Sequence, residues 1–211
     1  MTMMLIAPPA GPVLLQNVSW ETYEQMLADV GNGHLQLTFD EGRLEIMSPA
    51  NPHEHIKKII ARITEAYADA MDIPIEGLGS TTWKSKRLQT GLEPDECYYV
   101  QHFADVAGEA GTRLLDLAKD PPPDLAIEID ITHRSIPRQP IYAALKVAEI
   151  WRWDGKRAVP LHRTRTGKYT AATRSLAFPD LDINLLNEII QIALADGQPA
   201  SIKELRRRLR G

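Results

Sequence analysis

The sequence predicts an α/β fold, α+β mixed, built around a mixed sheet. Three observations carry that expectation. Short segments alternate apolar and polar residues with the period of a strand, as in Leu35, Leu37 and Phe39 and again in Leu125, Ile127, Ile129 and Ile131. Elsewhere Ile56, Ile59, Ile60, Ile63, Tyr67 and Met71 recur at helical spacing. The two patterns interleave along the chain, with a mixed sheet as the consequence. With 211 residues the chain makes one domain, or one with a small extension. Its 44% apolar and 25% charged residues are those of a soluble globular protein.

Each element follows from local chemistry. The opening MTMMLIAPPAGPVLL carries no basic n-region and is interrupted by Pro8, Pro9 and Pro12, so residues 1–17 read as an irregular arm. Ser19 caps a first helix over 20–30, with Glu21 and Glu24 in its early turns and Gly31 and Gly33 closing it. LQLTFDEGRLEIM is a hairpin turned by Asp40-Glu41-Gly42. Asn51 caps the second helix and Pro52 takes its first position. IEGLGSTTWK and PDECYYV read as strands joined by the polar stretch SKRLQTGLE, and a short helix is expected over 112–119 before Pro121-Pro122-Pro123. Residues 124–132, DLAIEIDIT, make the clearest strand. A helix with Pro140 in its first turn follows, carrying Ile141, Tyr142, Leu145 and Ala148. EIWRWDG then turns at Asp154-Gly155 into short strands through about residue 178. The tail to Arg210 is helical, broken at Gly197-Gln198-Pro199.

Composition excludes several function classes. A single cysteine, Cys97, rules out an internal disulfide and a cysteine-rich zinc site. A net charge of −4 argues against bulk attraction to nucleic acid, while leaving room for a local basic groove. No run approaches the roughly 18 apolar residues of a membrane span, so a cytoplasmic protein is expected.

One constellation offers chemistry. Glu128 and Asp130 share a face of a strand whose other face is isoleucine and leucine, and a carboxylate there is costly to bury unless paired or bound to a cation. Asp95 opens a neighbouring strand. Together they are oxygen-only ligands of the kind that suits Mg²⁺ or Mn²⁺. From spacing alone a second reading stands level with this one: a wet strand face with Glu128 paired to Arg134 or Arg138.

Residues 93–100 (EPDECYYV), 121–132 (PPPDLAIEIDIT) and 141–155 (IYAALKVAEIWRWDG), with LEIMSP at 44–49 and GSTTWK at 79–84, resemble a large bacterial family of restriction-endonuclease-like proteins within the PD-(D/E)xK nuclease superfamily. The resemblance runs over roughly residues 18–180. It implies a restriction-endonuclease-like core, a central mixed β-sheet flanked by helices, with residues 181–211 as a C-terminal helical extension. It makes Asp95 the motif aspartate and Glu128 the acidic member of the (D/E)xK element, both metal ligands, with Asp130 a third oxygen donor. The lysine of that element is replaced here by Asp130 itself. In much of the family a basic residue stands one turn before a helical tyrosine; here that places Arg138 before Tyr142, with Lys84 as the other candidate cation. Glu45 is a possible accessory acid, although an ordinary surface glutamate is the favoured reading.

Other features read more plainly. His53 and His55 are expected at an exposed helix start. The basic run from Lys203 to Arg210 complements a helix C-terminus. Trp151 and Trp153 share a strand face that a helix or a partner subunit should cover, and Cys97 is a small buried residue. The functional expectation is a Mg²⁺- or Mn²⁺-dependent endonuclease acting on DNA, as a homodimer so that both strands are cut. No partner methyltransferase is specified. Two alternatives stand beside it: an inactive nucleic-acid-binding or regulatory protein on the same fold, and a hydrolase of small phosphate esters.

Overall fold

Residues 11–31, 35–131 and 134–210, those described by the computed structural model, form two sheets and six helices. Along the chain come β1 (Val13–Leu15), α1 (Trp20–Val30), the hairpin β2 (Gln36–Asp40) and β3 (Arg43–Met47), then α2 (Asn51–Ala70). Four short strands follow: β4 (Glu76–Gly77), β5 (Trp83–Ser85), β6 (Thr90–Leu92) and β7 (Glu96–Tyr99). The remainder is α3 (Phe103–Val106), β8 (Leu125–Ile129), α4 (Arg138–Ala144), β9 (Glu149–Trp153), β10 (Ala158–Arg163), β11 (Tyr169–Ala171), α5 (Ile183–Asp196) and α6 (Gln198–Leu209).

The first sheet, ordered β1-β3-β2-β6-β5, is antiparallel throughout. The Ser19 Oγ accepts the Thr22 N–H at 3.1 Å and so starts α1, which lays Trp20 and Tyr23 on Leu37, Phe39 and Leu44. Gly31 ends that helix as expected; Gly33 lies outside the described residues. Residues 1–10 of the arm are likewise outside them, whereas Val13–Leu15 pairs with β3.

The second sheet, ordered β11-β10-β9-β8-β7-β4, is mixed: only β8 and β9 run parallel, and α4 supplies the crossover between them. Alternation along β8 divides the core. Leu125, Ile127 and Ile129 join Tyr98, Trp151 and Trp153 under α2, α5 and α6. Ala126 faces the other way, with Cys97, Tyr99 and Ile150, and is covered by Ile141 and Tyr142 of α4 and by Trp83 and Leu92 of the first sheet. Each fully buried leucine or isoleucine contributes about 1.5–3 kcal/mol. The tryptophan pair is therefore covered by the chain's own helices, with Phe178 against Trp151. Helices α5 and α6 contribute Leu186, Ile189, Ile190, Ile202 and Leu205 to the same core as α2.

Three local expectations change. SKRLQTGLE contains a strand, β6, returning from β5 through a turn where Gln89 has a φ of 51°. Gly91 is required there, because a Cβ would lie 2.6 Å from the Tyr23 hydroxyl and 2.8 Å from the Lys84 Cβ. IEGLGSTTWK divides between β4 and β5, in different sheets. Residues 112–119 form turns; Arg113 bridges Glu109 and Asp120, while Leu114 is 94% exposed, so no apolar face holds a helix.

Candidate active site

The period of β8 turns Glu128 away from Ile127 and Ile129 and toward α4. Immediately before β7, Asp95 is held beside β8 by its own N–H on the Ile127 carbonyl, at 3.2 Å. Asp95 is fully buried, and its carboxylate is where the two sheets meet. Oδ2 accepts the Ile129 N–H at 2.7 Å and lies 3.1 Å from His53 Nε2 at the start of α2. Oδ1 accepts from Gln36 Nε2 at 2.9 Å and lies 3.8 Å from Arg134. Burial alone would raise the Asp95 pKa, but the His53 hydrogen bond and charge, with Arg138 and Arg134, hold it well below the usual carboxylate range. Burial pushes His53 down; Asp95 more than offsets this and leaves it raised.

Glu128, 8% exposed, has different company. The Tyr142 hydroxyl donates to its Oε1, and Arg138 Nη2 stands 3.0 Å from the same oxygen. Tyr142 and Arg138 lie one turn apart on α4, with the Arg138 guanidinium 5.9 Å from the tyrosine ring centre. Burial raises the Glu128 pKa; Arg138 pulls it back and Asp95 pushes it up, for a net rise. Arg138 also donates to the Glu93 carbonyl, which ties α4 to the segment leading into Asp95.

Glu45 completes the framework. Its Oε2 accepts the N–H groups of Ser135 and Ile136, fixing the loop that enters α4, and its Oε1 lies 3.7 Å from Arg134. Over this framework opens a cleft of about 730 Å³ whose wall includes Glu128, Asp130, Arg134, Arg138, Tyr142 and Arg152. Several of its guanidinium nitrogens, Arg134 Nη1, Arg138 Nε and Nη1, and Arg152 Nε, are buried with no hydrogen-bond acceptor among the described residues. A cleft with a carboxylate and unpaired cationic donors is suited to a phosphate ester.

A model of the family Uma2, described as putative restriction endonuclease, matches residues 20–195, a span from α1 into α5 that includes every residue of this cluster. The chain belongs to the Uma2 family. That family lies within the PD-(D/E)xK-like superfamily, whose nucleases generally use divalent metals, and the two-sheet architecture is consistent with a restriction-endonuclease-like fold. No protein of curated function matches the chain.

Of the residues singled out from the Uma2 resemblance, the fold brings Asp95, Glu128 and Arg138 together. Asp130 lines the same cleft just beyond β8, its side chain 46% exposed and 4.0 Å from Arg152. Thr132, expected at the end of that strand, lies outside the described residues. Lys84 is elsewhere. Its register partner Gly91 pairs in turn with Phe39, which puts Lys84 on the α1 face of the first sheet, where Nζ pairs with Glu24 at 2.7 Å. Glu45 stands on the opposite face, so the lysine cannot join it. Glu45 itself corrects the surface reading, being buried because the polar face of its hairpin packs over Asp95.

His53 is also corrected: it is buried, while His55 is exposed. A signal for this exists, since His53 lies three residues before Ile56 and shares the apolar stripe of α2. Gln36 carried no comparable signal. Cys97 is buried as expected; burial pushes its thiol up to about 12, and it donates to the Gly79 carbonyl. In the basic tail, Arg207 and Arg208 are paired with Glu204.

Proposed function

We propose that the chain is an endonuclease that hydrolyses phosphodiester bonds of DNA with Mg²⁺ or Mn²⁺. The observation that carries this reading is Glu128, backed by the buried Asp95, on the wall of a cleft whose guanidinium donors remain unpaired. The donor set fits the metal. Mg²⁺ is commonly held by one or two carboxylates plus substrate phosphates and water. Asp95 and Glu128 would hold it, with Asp130 as a further oxygen donor from the cleft wall. Asp95 Oδ1 accepts one hydrogen bond, from Gln36, and keeps capacity for a further ligand, whereas Oδ2 already faces both the Ile129 N–H and His53 Nε2. No three of the described His, Cys, Asp and Glu residues form a cage, so the remaining ligands come from substrate and solvent. When bound, such an ion polarises the phosphoryl oxygens and lowers the pKa of an attacking water.

The chain's own residues supply the rest. Arg138 stays protonated and cannot act as a general base, so its role is to hold the phosphate and balance charge as the water oxygen bonds to phosphorus and the ester oxygen departs. Tyr142 fixes the orientation of Glu128, and His53 and Gln36 fix Asp95. Cleavage of both strands calls for two sites and hence a twofold homodimer, and DNA as substrate is consistent with a cytoplasmic protein.

The test is cleavage by purified protein in Mg²⁺ or Mn²⁺. Asp95→Ala and Glu128→Ala should each abolish it while retaining the native circular dichroism spectrum; cleavage surviving in both folded variants overturns the assignment. A second reading, an inactive nucleic-acid-binding or regulatory protein on the same fold, is favoured by one observation: the cation beside Glu128 is an arginine already engaged with Glu128 and the Glu93 carbonyl. It predicts DNA binding without metal-dependent turnover.

A further inference from the structure

The cleft wall holds three guanidinium groups, and they are not equivalent. Arg134 faces inward, with Gln36 Oε1 3.3 Å from its Nη2 and the carboxylates of Glu45 and Asp95 on either side. Arg138 has one nitrogen, Nη2, on Glu128 and the Glu93 carbonyl, while its Nε and Nη1 have no acceptor among the described residues. Arg152 is the least committed. It stands on β9 directly opposite Glu128 in the parallel register, on the same sheet face. Among the described residues its only ion pair is the 4.0 Å approach of Nη1 to the half-exposed Asp130, and its buried Nε has no acceptor. A buried N–H left unpaired costs stability comparable to a lost hydrogen bond, so these donors call for an anion that enters the cleft.

We propose that Arg152, acting with Arg138, is the substrate phosphate-binding pair of this site. One phosphodiester group beside Glu128 would accept N–H bonds from Arg138 on the α4 wall and Arg152 on the β9 wall. A guanidinium fork matches phosphate oxygens, and Arg152 projects from a strand held on both sides, by β8 and by β10, so the donor is pre-oriented. The inference rests on the nuclease reading and assigns its substrate contact: the DNA backbone is gripped locally by the cleft, although the chain as a whole is acidic.

The test is anisotropy of a labelled short DNA duplex titrated with the full chain in EDTA across a salt series, with metal-dependent cleavage of the same duplex measured alongside. Arg152→Ala should weaken binding about tenfold and reduce the salt slope by about 1. Arg152→Lys should keep the slope and lose part of the affinity, because it retains the charge but not the fork. Lys86→Ala, a surface change on the first sheet's side of the molecule, should alter neither. Inorganic phosphate should compete more weakly with Arg152→Ala than with the wild type. A folded Arg152→Ala protein that binds with wild-type affinity and slope, while the wild type cleaves, overturns the phosphate assignment alone. A wild type that neither binds nor cleaves the duplex overturns the nuclease reading beneath it.

Discussion

Glu128 and Glu149 stand on adjacent parallel strands, both removed from water, and point to opposite faces of the same sheet. Glu149 meets mostly neutral donors. Its Oε1 accepts from Trp151 Nε1 at 2.9 Å; its Oε2 accepts from the Ser175 hydroxyl and the N–H groups of Leu176 and Ala177, all within 2.9 Å. His162 Nε2 lies 3.6 Å from its Oε1. That carboxylate is fully buried and ties β9 to the 175–177 segment. Glu128 instead meets Arg138 and Tyr142 at the wall of a cavity that retains unpaired cationic N–H groups. Burial alone therefore does not set the two carboxylates apart. What distinguishes Glu128 is the surplus donor capacity around it, which a ligand can use.

The largest expected effects set these two glutamates apart. Glu128→Gln should lower DNA cleavage at least about a hundredfold, because losing a ligand to the metal should cost no less than the roughly 10–100-fold lost with a ligand's outer-shell partner. Its melting temperature should change far less than its rate. Glu149→Ala should do the reverse, costing about 3 kcal/mol or more in a urea titration because several buried donors lose their acceptor. Its cleavage per folded molecule should stay at the wild-type level. If Glu149→Ala instead abolishes turnover in a fully folded protein, the division between the two faces is broken.

A smaller effect sharpens the account of Glu128. Tyr142→Phe removes one hydrogen bond, worth about 1 kcal/mol. The tyrosine bond lowers the glutamate's pKa, so without it that pKa should rise further and the acid limb of the cleavage pH profile should move to higher pH. Asp95 responds with the opposite sign. Its pKa is depressed in the folded state, so its contribution to stability is present above the ordinary carboxylate value of about 3.9 and is lost as pH falls through the folded value. In EDTA, Asp95→Asn should flatten the acid side of a plot of melting temperature against pH. The smallest effect is at Lys84, whose half-exposed pair with Glu24 is worth no more than about 0.5 kcal/mol. Lys84→Ala should leave cleavage unchanged, where Arg138→Ala should lose it.

Those contrasts follow how the fold was written in the chain. Strand β8 and its glutamate were legible locally, because a carboxylate interrupts a run of isoleucines at a period of two. Helix α2, the hairpin, α4 and the broken tail follow equally from apolar spacing and caps. Asp95 was legible as an acid opening a neighbouring strand, and the resemblance made it the motif aspartate. The misplaced residues, and Gln36, which went unremarked, are those decided by how the sheets pack. Glu45 and Gln36 occupy a polar face that reads as solvent-facing until that face meets Asp95. Lys84 was a candidate only if its strand lay beside the carboxylates; Gly91 pairs with Phe39, and that register sends the lysine to the α1 side. His53 was misread as exposed although its spacing from Ile56 already placed it inward.

The most direct test of the central claim is nicking of supercoiled plasmid in Mg²⁺, in Mn²⁺ and in EDTA by the wild type, Glu128→Gln and Glu149→Gln. A phosphodiester-cleaving site at Glu128 predicts metal-dependent nicking by the wild type and by folded Glu149→Gln, and none by Glu128→Gln. Nicking by Glu128→Gln at the wild-type rate, or no nicking by the wild type in either metal, would contradict it.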